Sequence, residues 1–173
     1  MYGTRVIMTV QEDVFPYAQL KSAESVTEYL AEMKTRAEET FVAIALNAKL
    51  EVLSVTEVSR GTLTAALIHP REVFKVAFLS NASCLVLAHN HVSGDPFPSA
   101  EDTRITERLE EAGALLGIPI LDHIIIGRTY FSFAEEGLMD EKALVSYRGT
   151  SVVCTEQKKA SKEMLQREEK SNE

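Results

Sequence analysis

A continuous apolar run at 83–88 (SCLVLA), with a second central strand at 120–126 (ILDHIII), constrains this chain most. A run of that length without polar alternation reads as a strand covered on both faces, so the protein needs helices above and below a central sheet. The segment between them supplies one. Ser99 can N-cap a helix running to about Leu116, with Ile105, Leu109, Ala112 and Leu116 at helical spacing and Gly117 ending it. A second helix is predicted over 22–37, capped by Ser22 and carrying Val26, Tyr29, Leu30 and Met33. A third is predicted over 70–80, opened by Pro70 and carrying Val73, Val76, Ala77 and Phe78.

Segments 40–46 (TFVAIAL) and 50–58 (LEVLSVTEV) are β-like, and Asn47-Ala48-Lys49 joins them as a hairpin. Residues 129–134 (TYFSFA) read as a partner strand after the Gly127-Arg128 turn, and 5–10 (RVIMTV) as a short strand or an extended arm. The expected architecture is α/β (α+β): one mixed sheet with helices on its faces. The domain is placed at 22–148, after an arm at 1–21 and before a charged tail at 149–173 that reads as disordered or loosely helical.

Charge narrows the function. Eighteen Lys and Arg against 26 Asp and Glu give a net charge of −8, which argues against strong nucleic-acid binding and against a basic membrane-surface helix. No apolar stretch approaches the ~20 residues that span a bilayer. The first fifteen residues lack a signal-peptide pattern. Cys84 and Cys154 have neither disulfide-framework nor zinc-ribbon spacing, and Cys84 reads as a small buried hydrophobe. A cytoplasmic location is expected.

The chemistry gathers at the end of the first apolar run. His89 and His91 stand two apart, so on an extended chain both imidazoles turn to one point while Asn90 faces elsewhere. The loop 90–98 (NHVSGDPFP) reverses the chain, and Asp102 on the first helical turn returns to the same point. Two imidazoles, one carboxylate and an open position suit a catalytic zinc ion better than a structural one. Such an ion lowers the pKa of water and polarises a carbonyl, a nearby carboxylate moves the proton, and Ser99 can donate to the oxyanion. Glu39 is a candidate for that carboxylate. A plainer reading stands beside this one: Ser99 and Asp102 also spell a capping box, whose whole role can be to stabilise a helix start.

The spacing His89-x-His91, seven residues, Ser99, two residues, Asp102 resembles the signature of the JAMM (MPN+) metalloprotease superfamily. The string AHNHVSGDPFPSAEDTRITERLEEAGALLGIPILDHIIIG and HPREVFKVA at 69–77 are similar to its RadC-like branch, a likeness covering about 22–140. The resemblance implies a JAMM/MPN fold, a curved mixed sheet flanked by helices in a three-layer arrangement like that of cytidine deaminases. It implies one zinc ion per chain held by His89, His91 and Asp102, and oxyanion stabilisation by Ser99. It also implies a general base just before the first core strand, a place that Glu39 matches and Glu38 adjoins. Val92 stands where the branch usually has proline, which frees one φ angle and removes no ligand. Longer RadC proteins carry a helix-hairpin-helix region for which this chain has no room.

The resulting expectation is a zinc-dependent metallohydrolase acting on a peptide or isopeptide bond of an unknown peptide or protein substrate. The alternatives are a non-catalytic module that binds a DNA-repair or other partner, and an interaction protein with a purely structural metal. Among the remaining candidates, His69 reads as a structural residue at a helix entry and Asp95 as a turn former. His123 reads as a satisfied core histidine. The sharper alternative makes it part of the surroundings of a ligating imidazole, whose other N–H needs an acceptor such as Asp122 or a backbone carbonyl.

Overall fold

The computed structural model describes residues 18–61 and 68–139. The expectations for 5–10, for most of the arm at 1–21 and for the tail at 149–173 lie outside these residues. The described part orders as α1 (Ala23–Tyr29), β1 (Thr40–Leu46), β2 (Val52–Arg60), α2 (Pro70–Leu79), β3 (Cys84–Asn90), α3 (Ala100–Leu116), β4 (Ile120–Ile126) and β5 (Tyr130–Ser132), with a 3-10 segment Ala31–Thr35 after α1. The five strands form one open sheet in the order β2-β1-β3-β4-β5. Only β3 and β4 pair in parallel; the other neighbours are antiparallel. Parallel neighbours need a crossover, and α3 provides it.

Alternation along the strands sorts side chains into two layers. Phe41, Ala43, Ala45, Leu85, Leu87 and Ile125 face α2 and α3, where Val73, Phe74, Ala77, Ile105 and Leu109 complete one core. Val42, Ile44, Leu46, Val86, Ala88, Ile124 and Ile126 face the other way, against Val26, Leu30 and Met33. Every residue of β1 and β3 is buried, as an apolar run without alternation requires. The outcome is an α+β sandwich with the sheet in the middle.

Four details differ from the sequence-based expectation. The helix over 22–37 stops at Tyr29; Leu30 leaves helical geometry, and a tighter 3-10 turn carries Met33 into the core. The hairpin loop extends to Glu51 because Leu50 takes a left-handed φ of 63° and the Asn47 side chain accepts from the Lys49 and Glu51 amides. The buried stripe of α2 is Val73, Phe74 and Ala77, while Phe78 is exposed. On α3, Leu116 is exposed, and Gly113 fills the stripe position. A Cβ at Gly113 would lie 2.7 Å from the Ile118 carbonyl, so only glycine lets the chain turn back so closely into β4.

Candidate metal centre

Strand parity places the site. Leu85 and Leu87 face α3, so His89, two residues further, faces it too. His89 is the penultimate residue of β3, and the next element in the chain, α3, begins above it. This is the carboxyl end of a parallel strand, where open α/β sheets place their ligand sites. The intervening loop is tied down at its tip. The Arg128 amide donates to the Gly94 carbonyl, and Gly127 approaches so closely that a Cβ there would lie 2.5 Å from that oxygen. The loop therefore returns the chain to a fixed point, where Ser99 caps α3.

Three side chains converge there. His89 Nε2 lies 3.0 Å from His91 Nε2 and 3.2 Å from an Asp102 oxygen, and His91 Nε2 lies 3.4 Å from the other Asp102 oxygen. Ligands bonded at about 2.0 Å to a tetrahedral ion stand about 3.3 Å apart. The two Asp102 contacts run to different oxygens, and one ligand atom from each residue lies within 4.8 Å of the others, so these are the residues that could hold a metal ion. His89 is fully buried, Asp102 buried and His91 half-buried, so the triangle opens to solvent on the His91 side. Burial alone would raise the Asp102 carboxyl, but its contacts with His89, His91 and Ser99 hold it well below the usual carboxylate range. The same contact with Asp102 raises His91. Asp102 is therefore an anion at neutral pH.

The capping box is present as well. The Ser99 amide donates to an Asp102 oxygen at 2.8 Å, the Asp102 amide donates to Ser99 Oγ at 3.2 Å, and Ser99 Oγ donates to the Asp102 carboxylate at 2.6 Å. The two readings of Ser-x-x-Asp are thus compatible: one carboxylate caps the helix with one oxygen and presents the other to His89. Ser99 stands beside the triangle, and its hydroxyl proton is directed at Asp102.

Parity also separates Glu39 from Glu38. Glu39 is two residues before Phe41, which faces α3 and stacks on His89 at 5.9 Å. Glu39 is half-buried, and its charge contributes to raising His91. Glu38 is exposed and lines a surface depression of about 440 Å³ with Arg36, Thr40 and Arg60. The backbone around Glu39 is clipped from both sides. The Gly61 amide donates to the Glu39 carbonyl at 2.8 Å. On the other side Asn90, facing away from the metal group as alternation requires, accepts from the Thr40 amide at 2.8 Å and donates to the Glu38 carbonyl at 3.2 Å. The residue between the two histidines thus clamps the strand that carries Glu39.

His123, read from sequence as a core histidine, touches the site directly. Its Nε2 lies 2.9 Å from His89 Nδ1, and its Nδ1 lies 2.6 Å from Thr106 Oγ1. Burial first, and then the neighbouring His89, push its pKa well down. Asp122 is occupied elsewhere, accepting from Ser132 Oγ and the Ala134 amide. Thr106 was not singled out by sequence reasoning, although it lies four residues after Asp102 and so shares its helix face. Asp95 contributes its carbonyl, 2.7 Å from His91 Nδ1, while its carboxylate accepts from the Phe97 amide in the turn. His69 occupies the N-cap position of α2 without a side-chain capping bond.

Residues 20–138 match the model of the RadC-like JAB domain. The chain belongs to the RadC-like JAB domain family. Its RadC-like relatives include a UPF0758 protein from Alkaliphilus metalliredigens, 46% identical over 79% of this chain and 59% of that protein. Another, from Symbiobacterium thermophilum, is 52% identical over 69% of this chain and 52% of its own length. A third, from Thermotoga maritima, is 47% identical over 69% of this chain and 54% of its own length. The chain thus spans a little over half the length of these curated relatives. Among the described residues, no helix is long and apolar enough to cross a membrane.

Proposed function

We propose that this protein is a zinc-dependent metallohydrolase that cleaves a peptide or isopeptide amide. One observation supports the reading: His89, His91 and Asp102 converge with separations of 3.0, 3.2 and 3.4 Å, and the charge of Glu39 acts on the half-buried His91. Zinc bound there would supply a Lewis acid for the amide carbonyl and lower the pKa of water. The chain's own groups do the rest. Glu39 accepts the proton of the attacking water and delivers it to the leaving amine. Asp102 stays ionised throughout. Ser99 rotates its hydroxyl from Asp102 to the oxyanion that forms on the carbonyl. Asn90 and Gly61 fix the backbone on either side of Glu39. The substrate is a peptide or protein, and the cytoplasm is the compartment this reading assigns.

The test is metal content and hydrolysis measured together. Elemental analysis of wild type should find about one zinc per chain and His89→Ala should lose it. Glu39→Gln should keep the zinc and lower amide hydrolysis by about 10²–10⁴-fold. Wild-type protein that takes up no zinc when offered it, or a Glu39→Gln variant as active as wild type, would overturn the mechanism.

A further inference from the structure

We propose that Thr106 and His123 form a buried relay that holds His89 in the tautomer whose Nε2 is bare and able to ligate a metal. The inference deepens the reading of His89 as a ligand and rests on it. A neutral imidazole carries one N–H and one lone pair, and only the lone-pair nitrogen ligates. Something must therefore decide which nitrogen of His89 keeps the proton.

Three contacts in series decide it. Thr106 Oγ1 lies 2.7 Å from the Asp102 backbone carbonyl, which can only accept, and the relay sends the hydroxyl proton there. The Thr106 oxygen can then only accept from His123 Nδ1, 2.6 Å away, which places the His123 proton on Nδ1. His123 is left with a bare Nε2, 2.9 Å from His89 Nδ1, so His89 must donate through Nδ1. Its Nε2 is then bare, and Nε2 is the atom that stands 3.0 Å from His91 and 3.2 Å from Asp102.

Burial limits the alternatives to one, a reversal of the whole series. Both imidazoles have no exposed surface, and His123 stacks on Phe133 at 5.1 Å and meets Phe41 edge-on at 5.3 Å. Reversing the relay would point His123 Nε2–H at His89 Nδ1, draw the Thr106 hydroxyl from the Asp102 carbonyl to His123 Nδ1, and leave His89 Nε2 protonated among the three converging groups. One turn of α3 anchors both ends, since Asp102 supplies the ligand carboxylate by its side chain and the relay terminus by its carbonyl. His91 is oriented by a separate device, the Asp95 carbonyl at its Nδ1. The two histidines two residues apart are thus oriented independently, one by a loop and one by the core. His123 and Thr106 are positioning residues and touch neither metal nor substrate.

The test reads the tautomers of zinc-free protein from long-range proton–nitrogen correlation spectra of the imidazole rings, and zinc affinity by competition with a chromogenic chelator. Wild type should show His89 and His123 protonated at Nδ1. His123→Phe keeps an aromatic ring in the stack and removes the acceptor. It should mix the His89 tautomers and weaken zinc binding by about 10–100-fold. Thr106→Val, which keeps the buried volume, should shift His123 away from the Nδ1–H form and weaken zinc by about tenfold; it decides the matter if His123→Phe does not fold. His89 protonated at Nε2 in wild type, or unchanged tautomers and affinity in Thr106→Val, would overturn the relay. Wild-type protein that binds no zinc would instead sink the hydrolase reading, while the tautomer spectra still judge the relay.

Discussion

The rear and the front of the candidate site are built on opposite terms. At the rear, His89, His123, Thr106 and Asp102 are all buried, and their polar atoms are hydrogen-bonded in a closed series. At the front, His91 and Glu39 are half-buried and Ser99 lies beside them on the loop side. A buried polar network favours a settled arrangement, because a broken bond that leaves a group unsatisfied costs about 1–3 kcal/mol. Groups facing solvent exchange partners at little cost. The comparison teaches a division of labour: the core fixes the orientation of His89 and Asp102, and the open side is where the proposed hydrolysis would take place.

The largest break in that contrast is expected from Asp102→Ala, which removes the proposed ligand carboxylate and its half of the capping box together. Zinc measured by elemental analysis should be lost. Thermal denaturation should also show a loss of about 1 kcal/mol from the cap. Zinc retained at wild-type stoichiometry would mean that Asp102 only caps.

Asp122 sharpens the comparison from the buried side. Burial pushes its carboxyl up from 3.8 to about 6, against hydrogen bonds from Ser132 and Ala134 that favour the charge. A raised carboxyl pKa binds a proton more tightly in the folded chain than in the unfolded one. Its contribution is therefore present below the unfolded pKa and is lost as pH rises through about 6. At one pKa unit per ~1.4 kcal/mol the loss is on the order of 3 kcal/mol. Asp122→Asn should flatten the stability profile from chemical denaturation across that window; an unchanged slope would show that Asp122 is ionised at no cost.

Asn90→Ala comes next. It leaves the buried Thr40 amide without its acceptor, at about 1–3 kcal/mol, and frees the backbone on both sides of Glu39. Hydrolysis should fall more than zinc affinity does, and equal losses in both would mean that the clamp serves the ligands instead. The smallest effect is expected from Ser99→Ala. The cap should cost about 1 kcal/mol of stability, and zinc should stay bound. A fall in hydrolysis of about 10²-fold at full zinc occupancy would support the oxyanion role, and unchanged hydrolysis would leave Ser99 with the cap alone.

Much of this was legible in the amino-acid order because it depends on local periodicity. The buried strands at 84–90 and 120–126, the Ser99 cap, the Gly117 stop and the paired histidines all follow from spacing along the chain. So did the choice of His89, His91 and Asp102, since a strand end, a reversing loop and a helix start must return to one place. The same alternation could have separated Glu39 from Glu38, because Phe41 and Glu39 share a face.

What only the tertiary structure decided concerns residues far apart in sequence. His123 is 34 residues from His89, and Asn90 is 50 from Thr40. Whether their side chains meet depends on strand order and register, which place β3 between β1 and β4 with Leu87 beside His123. Local pattern says which face a side chain takes, since backbone geometry alone dictates it. Which neighbour waits on that face is set by packing of the whole sheet, and there the reading of His123 as a plain core residue met its limit.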